Sequence, residues 1–454
     1  MEKLSFRERS TELWVYPSIS SYFDKIKDRK EFFQFLSYAD ENQNKKPIRI
    51  YIHIPFCNKL CSFCAYYKEE YSSFSYEEKK VFYNSLIKEL EMYSKEEYMK
   101  GRPISTVCIG GGDPSCVEIE FLEKIIKCIY KNFNMSECKG ISMEGTVENL
   151  LEGNKVSELS RVGVTRLSYG VQTFKPELRK KLGLRCDKKD FYKLADLINK
   201  TKIEDYSIDL IYNLPDQSIK DLEEDLNEAC EYGPVYMDIH GLDIYPNTEF
   251  EKRINDKLEF VSIPSQKKEV EMYKFIMDYL PKKGYKQVSS ILYSAKKNRP
   301  FIGFERYLRG YEMMPIGPSA RGYINRRSFK NVCSVKEYVD LITKNLYPAE
   351  IGNVSSEKVD KSRPIIFFPE MTWIEKKDIP DDVELNKKLQ VLVNSKYAEW
   401  SGDILRLTDK GKVYSGNISR YLLSNEEKKL ELRSLLLSYK ERKNPYNQDN
   451  MGVK

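Results

Sequence analysis

Residues 51–67 read YIHIPFCNKLCSFCAYY. The run sets Cys57, Cys61 and Cys64 in a C-x3-C-x2-C array just after an apolar, strand-like segment, Arg49–Ile54, that stops at Pro55. Cysteines so placed sit on a loop leaving the C-terminal end of a strand, the edge that carries active sites in α/β folds. Three clustered thiols can hold an iron–sulfur cluster, a zinc ion or no metal. Structural zinc sites usually pair two knuckles tens of residues apart. No second knuckle exists here: Cys108, Cys116, Cys128, Cys138, Cys186, Cys230 and Cys333 show no short ligand spacing among themselves. His53 is a conceivable fourth zinc ligand, but it lies inside the strand-like run. The spacing favours a cluster, and three cysteines on a four-iron cluster leave one iron open to an external chelator such as an amino-acid head group.

Outward from this loop, strand-like runs alternate with helical patterns: Arg49–Ile54, Ser105–Ile109, Gly140–Glu144, Thr165–Tyr169, Tyr206–Tyr212 and Met237–Ile244. Between the first two, Ser75 and Glu78 form a capping-box pattern ahead of a stripe of Phe82, Leu86, Leu90 and Tyr93. Phe121, Leu122, Ile125, Ile126 and Ile129 make a second stripe. Strands and helices in alternation predict a parallel sheet curled into a full or partial barrel, its loops gathered at one mouth.

A chain of 454 residues with 41% apolar content builds a sizeable core, as one large α/β domain with additions or as two or three units. Its net charge of +6, from 75 basic and 69 acidic residues, is spread along the chain and argues against nucleic acid, which demands a clustered basic face. The opening MEKLSFRERSTELW has charges where a signal peptide needs an apolar core, and no window approaches the roughly 20 apolar residues of a membrane span. A cytoplasmic protein with reduced thiols is expected, with no membrane partner. Residues 1–47, with a helix over Asp28–Leu36 and an extended Trp14–Pro17, read as an arm packed on the main domain. Residues 48–350 read as the barrel and its extension. Residues 351–454 read as a small C-terminal α/β unit of winged-helix type: Ile365–Phe368, a helix over Leu385–Val393, the strand-like Ile404–Leu407, a helix after Gly411, and a charged helix over Asn425–Tyr439. Without a concentrated basic helix, a lid or substrate-facing role suits this unit better than DNA binding.

C-x3-C-x2-C is the signature of radical S-adenosylmethionine (SAM) enzymes, and the flanking YIHIPFC resembles the branch around oxygen-independent coproporphyrinogen III oxidase. Gly110-Gly111-Gly112-Asp113-Pro114-Ser115 resembles that family's GGGTP turn, with Asp113 in place of Thr. Glu144 stands where the family places a SAM-contacting Glu. Arg166–Phe174 (RLSYGVQTF) matches RLSxGVQxF, and Ser207–Pro215 (SIDLIYNLP) matches DLIYGLP. The match runs over about residues 45–325, with a looser similarity at Leu407–Leu423. It implies a radical SAM partial (β/α)6 barrel, a 4Fe–4S cluster on Cys57, Cys61 and Cys64, and SAM chelating the open iron. In that family one electron splits SAM to a 5′-deoxyadenosyl radical that abstracts hydrogen. The resemblance places Tyr51, Gly111, Gly112, Asp113 and Glu144 at the first SAM, and Phe63, Gln172 and Asp209 at a second SAM in members that bind two. Catalytic residues beyond these are not assigned by it.

The sequence also departs from the family. The oxidase carries a further cysteine two residues after the third ligand, where this chain has Tyr66. The arginine after the GVQ-type motif falls at Leu184, with Arg185 adjacent. Heme chaperones of the family carry an HN-x-x-YW segment, where this chain reads Asn298–Phe304 (NRPFIGF), and its two histidines are His53 and His240. Ile316–Arg321 resembles the GxGxSA turn that closes over the cofactor. Together these features point to a two-SAM, methyltransferase-like relative acting on an aromatic or tetrapyrrole substrate. The alternatives are an oxidase decarboxylating propionates and a heme-binding chaperone without turnover. A low-potential donor, flavodoxin or ferredoxin, anaerobic operation and a monomeric state are expected.

Overall fold

A computed structural model describes residues 4–428 except 7, 11–15, 17–23, 41–45, 246–247, 257–259, 296–307 and 426. Six strands, β1 (Ile48–Ile54), β2 (Ile104–Gly111), β3 (Ile141–Gly145), β4 (Arg166–Gln172), β5 (Asp205–Tyr212) and β6 (Tyr236–Gly241), lie side by side in chain order, all parallel. Each expected strand is present. β4 runs on to Gln172, and β6 stops at Gly241 short of the expected Ile244. A seventh strand, β7 (Met313–Ile316), pairs parallel to the free side of β1, with Met313 opposite Arg49. Antiparallel strands at Arg321–Ile324, Arg327–Asn331 and Ala349–Val354 continue the sheet beyond β7, and Leu292–Ser294 adds to β6. The mixed sheet of thirteen strands stays open, with Asp24–Lys25 at one edge and Lys286–Gln287 at the other, so the barrel is partial.

Period-two alternation assigns the faces. Ile48, Ile50, Ile52 and Ile54 of β1, Val107 and Ile109 of β2, Leu167, Tyr169 and Val171 of β4, and Ile208 and Leu210 of β5 are buried against the outer helices. Burying such a side chain stabilises the fold by about 1.5–3 kcal/mol, so this layer dominates the core. Helix α1 (Tyr76–Ser94) starts at the Ser75–Glu78 capping box and buries Phe82, Leu86, Leu90 and Tyr93; α2 (Ile119–Asn132) buries the Phe121–Ile129 stripe. The inner face carries the polar positions Arg49, Tyr51, His53, Glu144, Arg166, Ser168, Asp209, Asp238 and His240 between those apolar residues.

The expected N-terminal helix spans Arg29–Phe33, capped by Asp28, and tightens into a 3-10 turn at Gln34–Ser37. A separate core forms near the C-terminus. Ile365–Phe368 lie in helix Glu357–Met371, which packs with the strands Trp373–Glu375, Ala398–Ser401 and Ile404–Leu407 and the helices Val383–Asn394 and Ser415–Leu422. Residues 4–6 and 8–10 join the two bodies. Leu4 N–H donates to Ser395 Oγ (2.9 Å) and Phe6 N–H to Tyr397 Oη (3.1 Å) on one side, while the buried Arg9 guanidinium donates to Tyr212 Oη (2.7 Å) and pairs with Glu269 on the other. Asn298–Phe304 and most of the helix expected over Asn425–Tyr439 lie outside the described residues, as do Trp14, Val15 and Pro17.

Candidate cofactor site at the barrel mouth

The cysteine loop leaves the C-terminal end of β1 and is tied down on several sides. Phe56–Cys57 pairs with Glu69–Glu70, Cys64 N–H donates to Cys61 O (3.2 Å), and Lys68 Nζ donates to Cys64 O (2.6 Å). Asn58 Nδ2 donates to Asn149 Oδ1 (2.8 Å), and Lys59 Nζ to Gly183 O (2.7 Å), anchoring the loop tip to the β3 and β4 connections. All three cysteines carry free thiols. Burial, and then the charges of Asp113, Cys64 and Cys61, pushes the Cys57 thiol up to about 12, while burial and Cys64 raise Cys61. Thiols that raise one another in this way are near neighbours, and a bound metal inverts their preference by holding them deprotonated.

The glycine turn at the end of β2 packs directly on this loop. Gly112 N–H donates to Ile54 O (2.8 Å) and Asp113 N–H to Phe56 O (2.7 Å). No side chain fits along it. A Cβ on Gly110 meets the Glu144 carboxylate at 2.5 Å, one on Gly111 (φ +110°) meets the His53 ring at 2.6 Å, and one on Gly112 meets Phe56 O at 2.6 Å. Glu144, at the end of β3, accepts from Gly111 N–H (3.1 Å). The buried Asp113 carboxylate turns inward, accepting from Ser115 N–H and Oγ, from Thr146 N–H (3.2 Å) and Oγ1 (2.7 Å), and from Asn149 Nδ2. It knits the β2 turn to the β3 turn.

Inside the barrel, Tyr51 projects from β1 with its hydroxyl 3.3 Å from His53 Nδ1. Asp209 on β5 accepts from Ser168 Oγ (3.4 Å), and Asp238 on β6 from Ser207 Oγ (2.9 Å). Burial raises the carboxyls of Glu144 and Asp209, and Asp238 and Glu144 raise Asp209 further. Yet Glu144, Asp209 and Asp238 keep accessible surface. Groups surrounded by protein that still present surface face an internal space, and here that space is acidic with Arg49 and Arg166 set against it. Arg166 stacks on the Tyr236 ring (4.2 Å), and burial lowers it to about 10. Gln172 sits at a bulge in the β4–β5 ladder with φ +66°, which folds its amide back over Gly170 and into the barrel. Phe63 packs beside Phe250, Leu182, Leu184 and Ile211, and Phe250 N–H donates to Ser62 O (3.2 Å). The segment after β6 therefore meets the cysteine loop across the mouth.

Tyr51, Glu144 and Asp209 thus lie on the inner face of the sheet with Gln172 folded over it, Gly111 and Gly112 lie in the turn packed on the cysteine loop, the Asp113 carboxylate is turned into its own hydrogen-bond network, and Phe63 packs against Phe250. The sequence reading passed over Arg49, Arg166, Asp238 and His240 as site residues. Their signal was available: in β1 and β4 to β6, alternate positions are polar where an outward, solvated face would be expected, yet helices cover the apolar side.

Residues 51–229 match the family model described as "Radical SAM superfamily". Over these residues the chain carries a radical SAM domain. Its relatives lie on the oxygen-independent coproporphyrinogen III oxidase-like branch. It is 27% identical to a protein named heme chaperone HemW from Buchnera aphidicola subsp. Schizaphis graminum, over 83% of this chain and 98% of that one. The HemW of Bacillus subtilis is also 27% identical, over 82% and 94%. A protein named anaerobilin synthase from Escherichia coli O157:H7 is 24% identical over 84% and 85%. Coproporphyrinogen III oxidase (HemN) from Escherichia coli shares the fold, with a TM-score of 0.73 at 20% identity over 92% of this chain and 99% of that one.

The family's cofactors, a 4Fe–4S cluster and SAM, fit what this chain offers. Among the described residues no three His, Cys, Asp or Glu side chains converge tightly enough for a single metal ion. A four-iron cluster takes one thiolate on each of three irons, so its ligands need not meet at a point. The glycine turn, closed to any Cβ, gives bare backbone beside them. Among the described residues no helix is long and apolar enough to cross a membrane.

Proposed function

We propose that this chain is a radical SAM enzyme acting on a heme-type tetrapyrrole, cleaving one SAM reductively and drawing a one-carbon unit from a second. The observation that carries this reading is the internal space itself. It has thiols at its rim, bare glycine backbone and Glu144 on one wall, and Gln172, Asp209 and Asp238 on the other. When bound, the cluster and SAM supply the bond-breaking chemistry, and the protein supplies orientation and water exclusion.

In this reading Cys57, Cys61 and Cys64 hold the cluster. Tyr51, Gly111 and Gly112 would line the first SAM, with Glu144, fixed by the Gly111 N–H, beside it. Asp113 acts through the turn, by keeping the glycine backbone in place. Gln172, Asp209 and Phe63 flank the second SAM, whose sulfonium suits an acidic wall. A low-potential donor such as flavodoxin or ferredoxin supplies the electron. The likeness to anaerobilin synthase over most of both chains supports a tetrapyrrole target, and the open ring of polar interior groups suits a large ligand.

Heme carriage without turnover is the second reading. The relatives named heme chaperone support it more directly than any likeness supports methyl transfer. Anaerobic reconstitution with labelled SAM and dithionite, with and without hemin, separates the two. The enzyme reading expects hemin-dependent formation of both 5′-deoxyadenosine and S-adenosylhomocysteine. 5′-Deoxyadenosine alone removes the second SAM, and tight hemin binding with neither product establishes carriage.

A further inference from the structure

The chain has two histidines, and the structure separates their chemistry sharply. His53 is 4% exposed, with Nδ1 against Tyr51 Oη (3.3 Å) and Nε2 against Tyr67 O (3.3 Å). Gly111 lies against its ring and Gly317 against its carbonyl, at positions where neither tolerates a Cβ. Burial lowers its pKa to about 4, so it stays neutral and built into the wall. His240 is different. It sits at the C-terminal end of β6, half-buried, with no hydrogen bond to its ring from any described residue.

Alternation along β6 puts Tyr236, Asp238 and His240 on one face. That face is the inner one, because Arg166 of β4 stacks on the Tyr236 ring and Ser207 of β5 donates to Asp238. His240 stands opposite Ile211 in the β5–β6 register. Ile211 in turn belongs to the apolar cluster of Phe63, Leu184, Leu242 and Phe250, so His240 opens onto the mouth beside the cysteine loop. An imidazole with no hydrogen bond from the described residues, at the end of a polar interior and next to the apolar Ile211, has the donor and the surroundings that an iron porphyrin requires. Asp238, two residues earlier on the same face, lies close enough for the two side chains to feel each other's charge.

We propose that His240 is the ligand through which this chain holds the iron of a heme-type tetrapyrrole, with the ring seated at the C-terminal end of β6 over the partly exposed Ile211. The inference rests on the tetrapyrrole reading above and adds the atom that reads the metal. An imidazole nitrogen donates its lone pair to iron; no electron or proton is transferred in the step. The partly exposed Ile211 and Leu184 at the same end of the barrel supply apolar contact for the ring, which binds with or without iron.

The test titrates hemin and metal-free protoporphyrin IX into the anaerobically reconstituted full chain, wild type and His240→Ala, followed by absorption and electron paramagnetic resonance. The wild type is expected to give the spectrum of imidazole-ligated iron. His240→Ala is expected to lose that spectrum and to bind hemin about tenfold more weakly, a change of about 1.4 kcal/mol. It should keep its affinity for the iron-free ring and regain the wild-type spectrum when free imidazole is added. An unchanged hemin spectrum in His240→Ala overturns the assignment while leaving the tetrapyrrole reading standing. Equal loss of both porphyrins without rescue by imidazole or by His240→Gln also overturns it. A wild type that binds neither porphyrin overturns both readings.

Discussion

Glu89 lies on the inner side of α1, fully buried, and bridges that helix to the turn after β7, to the strand Arg327–Asn331 and to the helix Val335–Thr343. It accepts from Gly317 N–H (2.8 Å), Tyr338 Oη (2.6 Å) and Asn331 Nδ2 (3.5 Å). No cation faces it among these partners, and burial outweighs the three hydrogen bonds, raising its pKa from 4.5 to about 8. A carboxyl raised in the folded state binds a proton that the unfolded chain has released, so its contribution is full below the unfolded value and is lost as pH rises through the folded one. Between about pH 5.5 and 8.5 the loss amounts to about 3 kcal/mol, at roughly 1.4 kcal/mol per pH unit over most of that window. Glu89→Gln keeps an oxygen for Gly317 and Tyr338 and has no proton to lose. Urea melts of the apo chain in both forms should therefore diverge with pH. The wild type should be less stable at the alkaline end, the variant nearly flat, and the variant the more stable of the two above about pH 8. Parallel pH dependences in the two proteins would refute the reasoning, because the wild-type slope would then come from other groups.

Two further perturbations probe the frame and the glycine turn. Glu312 accepts from Arg102 Nη1 (2.6 Å), Tyr98 Oη (3.0 Å) and Asn325 N–H (2.7 Å), and Arg102 is 1% exposed. Glu312→Ala leaves that guanidinium buried and unpaired and should cost about 3–5 kcal/mol in a denaturant melt, whereas Glu312→Leu with Arg102→Met should recover most of it. Gly111→Ala combines the left-handed φ of +110° with a Cβ 2.6 Å from the His53 ring. Backbone strain alone is about 1–3 kcal/mol. We expect SAM affinity, measured by equilibrium dialysis on the reconstituted chain, to fall at least tenfold; binding equal to wild type would remove the turn from the SAM site.

The barrel was legible because its signals are local. β1 ends at Pro55, α1 opens on a capping box that the structure reproduces in both directions, and the apolar stripes of α1 and α2 are the buried faces. The antiparallel extension beyond β7 was not legible. Its strands are four to six residues long: Arg321–Ile324 and Arg327–Asn331 form a hairpin whose turn, Asn325-Arg326, lacks glycine, and Arg327–Asn331 then pairs with the sequence-distant Ala349–Val354, Arg327 opposite Val354. Ile365–Phe368 shows the limit of periodicity. Four consecutive apolar residues fit a buried strand or a helix enclosed on all sides, and only the tertiary packing of Glu357–Met371 decides for the helix.

Asp113 shows why matching a motif does not assign a side chain. Its position in the glycine turn invites a contact with the ligand, yet its carboxylate lies inside, holding Thr146 and Asn149. A Thr offers one oxygen, and this turn asks for acceptors on two sides, from Ser115 and from the β3 connection. The carboxylate supplies both, and the chain thereby links the β2 turn to the helix after β3 that carries Asn149, which in turn receives Asn58 of the cysteine loop. The substitution that looks like a departure at the ligand is, in this fold, a brace running from the glycine turn to the thiols. Loss of that brace should loosen the cysteine loop and the glycine turn together, because Asn149 hydrogen-bonds both Asp113 and Asn58.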